Sequence, residues 1–221
     1  MLTTTIEALL LVFAALFPVI NPFGAALITQ GMTSQLDDAG RARLAGVVAL
    51  NCLALMVGAV LAGTYVLAFF GISVAVLRIA GGTVIAITAY HLLTAPTTSA
   101  CASISCGEAL SKAFYPITLP ITVGPGTIAV AVALGTEAID TRSPPHIVGA
   151  GIGIIALTLC IYVCMRYVNR LCRIFGATGS RVIDRLFAFI LLCIGMQLGW
   201  HGIAELLGAI QGSPHIAAAP H

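Results

Sequence analysis

The sequence predicts an all-α polytopic membrane protein with six transmembrane helices, arranged as two inverted three-helix repeats in which helices 1 and 4 are broken. Three observations predict it. Of the 221 residues, 59% are hydrophobic and only 8% are charged, with a mean hydropathy of +1.07. A soluble domain carries roughly 25% charged residues and has no means of hiding this much apolar surface. The charges also divide the chain into runs that carry none, at 8–36, 44–77, 79–107, 113–136, 143–165 and 186–204. The shortest is 19 residues, close to the ~20 that a spanning helix needs. Finally, two proline-broken segments lie about a hundred residues apart, each inside such a run.

Helix 1 is expected over 7–30. It is no secretory signal, because Met1 to Glu7 has no Lys or Arg and the apolar run that follows is too long. It holds the first break, Phe17-Pro18-Val19-Ile20-Asn21-Pro22-Phe23-Gly24. Helix 2 follows over 44–70, and helix 3 over 74–93 with Gly81-Gly82 inside it. Residues 94–112, rich in Thr, Ser, Ala and Cys, form the longest connection and link repeat A (1–93) to repeat B (113–208). Helix 4, over 113–135, holds the second break, Leu119-Pro120-Ile121-Thr122-Val123-Gly124-Pro125-Gly126. Helix 5 spans 146–168 and helix 6 spans 184–208. Gly149 and Gly153 in the former, and Gly195 and Gly199 in the latter, have the small-xxx-small spacing that lets membrane helices approach. The tail, 209–221, with His215 and His221, is read as frayed.

With six spans, both termini lie on one side. The loops on the other side and their flanks hold Arg41, Arg43, Lys112, Arg166, Arg170, Arg173, Arg181 and Arg185, against Arg78 and Arg142 on the terminal side. The positive-inside rule then places both termini outside, periplasmic in a bacterial-type inner membrane. Of the seven cysteines, Cys52, Cys160, Cys164 and Cys193 lie within helices, Cys172 lies at the cytoplasmic face, and Cys101 and Cys106 lie in the 3–4 connection. Free thiols are expected in that reducing setting, and the spacing matches no zinc pattern.

The breaks correspond. Asn21-Pro22 and Gly124-Pro125 are offset by 103 residues, and Arg78 and Arg185, at the openings of helices 3 and 6, by 107. Three helices per repeat invert the second copy, so both breaks meet near the bilayer centre, where transporters place their substrate.

Several motifs carry a family resemblance. Leu16-Phe17-Pro18-Val19-Ile20-Asn21-Pro22, Phe70-Gly71-Ile72-Ser73 with Leu77-Arg78-Ile79-Ala80-Gly81-Gly82, Leu119-Pro120-Ile121-Thr122-Val123-Gly124-Pro125-Gly126-Thr127-Ile128-Ala129 and Gly195-Met196-Gln197 resemble the MarC/SnatA family of six-helix membrane proteins. The resemblance spans nearly the whole chain and implies transport of neutral amino acids. Composition and spacing by themselves imply only a carrier-like membrane protein. The 3–4 connection departs from the family pattern, being Cys/Ser/Thr-rich where relatives carry more charge.

The candidate substrate-binding residues are Pro18, Asn21, Pro22, Gly24, Pro120, Thr122, Gly124, Pro125, Gly126, Thr127 and Gln197. Asn21 either caps the helix restarted by Pro22 or faces a cavity, and the two readings are compatible. A half-helix start presents N–H groups and a positive dipole that suit a carboxylate. Thr118, Thr122 and Thr127 either bond back to their own helix or offer hydroxyls to an amine or ion. Gln197 either bonds a neighbouring helix or faces the ligand. Arg78 and Arg185 are expected to snorkel, Glu7 and Glu205 to be solvated, and His91 and His201 to be interfacial. No metal site or cofactor is expected, and Na⁺ or H⁺ coupling is left open. The partners expected are a small zwitterionic solute and the lipid bilayer, not nucleic acid, with a homo-oligomer left open. An enzyme is disfavoured, since His-Glu-x-x-His, paired intramembrane aspartates and Gly-x-Ser-x-Gly are all missing from the sequence. A neutral-solute channel or a non-transporting subunit is the rival reading.

Overall fold

A computed structural model describes residues 2–94, 108–141 and 143–211. Among the described residues the chain is helical, without strands. Five helices are long and apolar enough to span a membrane, and one pair bent by 70°, Ala113–Thr122 with Pro125–Thr136, makes a sixth span if it crosses as one.

The first span is two helices, α1 (Leu2–Ile20) and α2 (Pro22–Met32). On α1 the buried residues are Ala8, Val12, Leu16 and Ile20, a strict four-residue spacing that turns one stripe inward. Leu2, Ile6, Leu10 and Leu11 on the other side are exposed, as a lipid-facing surface must be when no polar face exists. A turn after α2 ends at Asp37, whose carboxylate caps α3 (Asp38–Phe70) by accepting from Gly40 N–H at 2.8 Å. At 33 residues, α3 is roughly 50 Å long, more than the ~30 Å hydrocarbon layer. Gly71, at φ 67°, closes it. The Gly71 and Ile72 N–H groups turn back to Ala68 and Leu67 carbonyls, the paired bonds of a Schellman stop.

Helix α4 (Val74–Thr94) follows. After the linker, residues Ala113–Thr122 wind loosely with π-type bonds, with Tyr115 and Leu119 outside helical angles and cis bonds before Pro116 and Pro120. Helix α5 (Pro125–Thr141) continues at the 70° bend, then α6 (Pro144–Arg166) and α7 (Val168–Gln211). The part of α7 apolar enough to span is Arg185–Ala209, close to the expected 184–208, and the residues between the expected fifth and sixth spans add to the same helix. Those residues are helical, and the interruption is confined to Gly176, at φ 65° and ψ 175°. The Arg-rich stretch is too polar to span but has nothing that stops a helix except this glycine. Residues 101, 106, 215 and 221, holding two cysteines and two histidines of interest, lie outside the described residues.

Packing pairs the elements reciprocally. α1 and α2 lie against α6, the π-type segment and α5 lie against α3, and α4 lies along α7 in the most extensive interface. Glycines set the close approaches. A Cβ on Gly82 would strike the Gly195 carbonyl and the Gly199 backbone, and one on Gly195 would strike Gly82 O and Ala86 N. Gly149 and Gly153 give α6 the same intimacy with α1, against Thr5 O and Leu9 O. These backbone approaches are what the small-residue spacing of helices 3, 5 and 6 predicts.

Candidate functional site

Both breaks restart a helix by the same device. A proline occupies the first helical position, where its missing N–H costs nothing. The carbonyl of the residue before it accepts the first intrahelical bond, from Ala25 N–H to Asn21 O at 2.9 Å and from Ile128 N–H to Gly124 O at 3.1 Å. One continuous buried cluster joins them, with Leu16, Ile20 and Ala25 around the first break and Ile117, Val123 and Val130 around the second. α1 touches α5, and α2 touches the π-type segment.

The caps differ. Asn21 sits in the left-handed region, φ 45° and ψ 68°, the one non-glycine residue with positive φ among the described residues. Asn tolerates that region better than most residues. Its Oδ1 accepts from Gly24 N–H at 3.1 Å, so the first half-helix start is closed by its own side chain. Gly24 is buried, and a Cβ there would meet the Asn21 carboxamide. Gly124 has no side chain with which to cap the second start. The glycines of that start are not in the left-handed region, so positive φ is not what they supply. Gly126 supplies clearance, because its Cβ would meet the Ile85 side chain of α4. Gly124 is under less constraint, its Cβ lying 3.3 Å from Pro120 O.

The threonines resolve toward back-bonding. Thr118 Oγ1 donates to Ala113 O at 2.7 Å, and Thr122 Oγ1 donates to Ile117 O at 2.8 Å. These five-residue bonds replace part of the ladder that Pro116 and Pro120 interrupt. Each hydroxyl keeps its acceptor capacity; that of Thr118 is approached by Asn51 Nδ2 of α3 at 3.5 Å. Thr127 is buried at the α5 start. Asn51, a lone amide in the uncharged run 44–77, is the residue that sequence reasoning passed over.

Not every candidate joins this constellation. Pro22 is buried and Pro18 half-buried, while Pro120 and Pro125 are exposed. Gln197 is exposed on α7, between Gly195 and Gly199, whose backbones face α4. The structure thus does not bring Gln197 inward to the breaks. Arg78, expected to snorkel, and Glu205, expected to be solvated, form an ion pair at 2.6 Å that ties α4 to α7. Arg185, His91 and His201 are exposed. Cys52, Cys160, Cys164 and Cys193 are free thiols.

Polar groups gather again at the far end of α2. Gln30 Nε2 donates to Asn169 Oδ1 at 2.9 Å, and its Oε1 accepts from Cys172 Sγ at 3.5 Å. This links the first span to the start of α7. Among the described residues no group of three or more His, Cys, Asp or Glu could hold a metal.

Comparison with known proteins agrees with this architecture. Inner membrane protein MarC of Salmonella paratyphi A is 30% identical over 216 residues, covering 91% of this chain and 96% of its own length. The proteins of that name from Citrobacter koseri and Escherichia coli are each 29% identical at the same coverage. No solved structure matches. The family profile described as MarC family integral membrane protein matches residues 6–207, which takes in both breaks and all but the outer ends of the first and last spans, and on that match the chain belongs to the MarC family of integral membrane proteins.

Proposed function

We propose that the chain is a carrier that moves small neutral amino acids of the alanine, glycine and serine class by alternating access around the two breaks. The observation that carries this reading is the pair of half-helix starts in one buried cluster, one capped by Asn21 and one without a side-chain cap. The uncapped α5 start, with the N–H groups of Gly126 and Thr127 in its first turn, suits the carboxylate of a zwitterion. Carbonyls released by the proline breaks and the Thr118 and Thr122 hydroxyls suit its ammonium group.

Charge supports the choice of solute. No Asp, Glu, Lys or Arg lies in the middle of any span, and an ionic solute at mid-membrane needs a counter-charge. The reciprocal packing supports the inverted-repeat reading. Exchanging the halves carries the contact of α1 and α2 with α6 onto the contact of the π-type segment and α5 with α3, and α4–α7 onto itself. The names of the relatives and the distribution of basic residues support an inner membrane with both termini periplasmic. The chain acts without an enzymatic step in this reading, and coupling to Na⁺ or H⁺ is open to it.

Purified protein in liposomes tests the proposal. Labelled alanine should enter, and excess unlabelled glycine or serine should compete while lysine and glutamate compete poorly. Strong competition by lysine or glutamate, with none by glycine or serine, contradicts an uncharged site.

A further inference from the structure

A small cavity lies between α2, α3 and the junction of α6 with α7, lined by Thr29, Gln30, Thr33, Arg41, Leu44 and Met165 among others. It has room for about one water-sized guest. Ala26, one turn beyond Pro22, also lines it, so it begins one turn from the first break. Arg41 is one of the basic residues counted in the loops and flanks opposite the termini, yet it is only 6% exposed. Its Nη2 donates to Leu36 O at 3.3 Å. Its Nε has no partner, and neither does the hydroxyl of Thr29, which is 5% exposed. Two of the four buried, unpartnered side-chain atoms among the described residues thus lie on one small cavity.

The charge balance of that cavity is one-sided. Among the described residues no acidic side chain lines it. Asp37 and Asp38, nearest in sequence, are exposed, and Asp37 is engaged with Gly40 N–H. Gln30 is held by Asn169 and Cys172. A buried guanidinium that lacks an anion is costly, and a planar fork with an open N–H is the usual receiver of a carboxylate oxygen.

We propose that Arg41 and Thr29 form an anion seat beyond the first break, which receives one oxygen of the solute carboxylate as it moves between the break and the face that we propose is cytoplasmic. The identity of that carboxylate rests on the transport reading; the seat itself does not. A small inorganic anion such as chloride has the same chemistry, a single negative atom somewhat larger than a water, around which the cavity has to widen. A neutral or purely cationic solute does not.

Calorimetric titration of the full-length protein in nanodiscs of zwitterionic lipid tests this, in buffer whose only anion is a bulky sulfonate. The probes are acetate, alanine, alaninamide and chloride. Acetate, alanine or chloride should bind the wild type, and alaninamide, which lacks the carboxylate, should not. Arg41→Gln should weaken that binding by about tenfold or more, the worth of one charge-assisted hydrogen bond. Arg41→Lys should fall between, and Thr29→Val should weaken binding severalfold while leaving the charge in place. Tighter acetate and alanine identify the carboxylate, and tighter chloride identifies an inorganic anion. Absence of anion binding by the wild type overturns the seat. So does unchanged affinity in both Arg41→Gln and Thr29→Val. If alanine is not transported but acetate or chloride still binds in an Arg41-dependent way, the transport reading falls and the seat stands.

Discussion

Asn21 and Gly24 are fitted to each other: the Asn21 carboxamide oxygen accepts the Gly24 N–H at 3.1 Å, and it has room to do so because Gly24 has no Cβ. A proline break leaves a helix start that must be satisfied in a membrane without water. Here the chain satisfies it locally, at the cost of holding Asn21 at φ 45°.

Substitutions at Asn21 should therefore separate the cap from the backbone angle. Asn21→Ala loses the cap, worth about 1 kcal/mol, and puts a side chain at a left-handed angle that costs a further ~1–2 kcal/mol. Asn21→Gly also loses the cap but relieves the angle, for a net loss of a few tenths of a kcal/mol. Melting of the purified protein should rank them wild type, Gly, Ala from most to least stable. Equal stability for Ala and Gly would show that the angle is not under constraint.

The second break should respond asymmetrically. Gly126→Ala meets Ile85, and overpacking of this kind costs about 1–3 kcal/mol. Gly124→Ala meets only Pro120 O at 3.3 Å and should be milder. Trimming the obstacle, in Gly126→Ala/Ile85→Ala, should restore part of the loss in both melting temperature and uptake. Failure of the double variant to recover would mean that Gly126 is needed for something other than clearance.

The α4–α7 interface offers a control within one motif. Gly195→Ala drives a methyl into Gly82 O and Ala86 N, whereas Gly199→Ala points into open space. The first should lower the yield of folded protein and its melting temperature, and the second should be nearly silent. Reversed outcomes would mean that α7 is rotated about its axis.

The Arg78–Glu205 pair is partly exposed, with side chains 20% and 48% accessible. Glu205→Gln should cost less than about 1 kcal/mol, and the difference from wild type should shrink further in high salt. A large loss would mark the pair as a structural clamp on α4 and α7.

How much of this was legible in the sequence depends on the residue. Charge-free runs located the spans, and helix 2 ends at Phe70 as expected because Gly71 supplies a left-handed stop. The paired breaks were legible because proline and asparagine are conspicuous among aliphatic residues. Helix rotation was not: lipid and protein interior are both apolar, so nothing in the pattern tells whether Gln197 faces inward, and it is exposed. The last span begins at Arg185, close to the expected 184, while the helical stretch before it carries arginines that lower hydropathy without opposing a helix. The Arg78–Glu205 pair joins residues 127 apart, and the burial of Arg41 depends on four helices converging at one end. Neither is a local property.

Counterflow in proteoliposomes addresses the central claim most directly. Liposomes preloaded with unlabelled alanine are diluted into a trace of labelled alanine, for wild type and for the Asn21→Ala and Gly126→Ala variants at equal protein per lipid. A carrier built around the two breaks predicts a transient, saturable accumulation of label in the wild type that both variants lose or greatly reduce while still reconstituting. Flux that is linear in alanine concentration without accumulation, or accumulation equal in all three proteins, would contradict it.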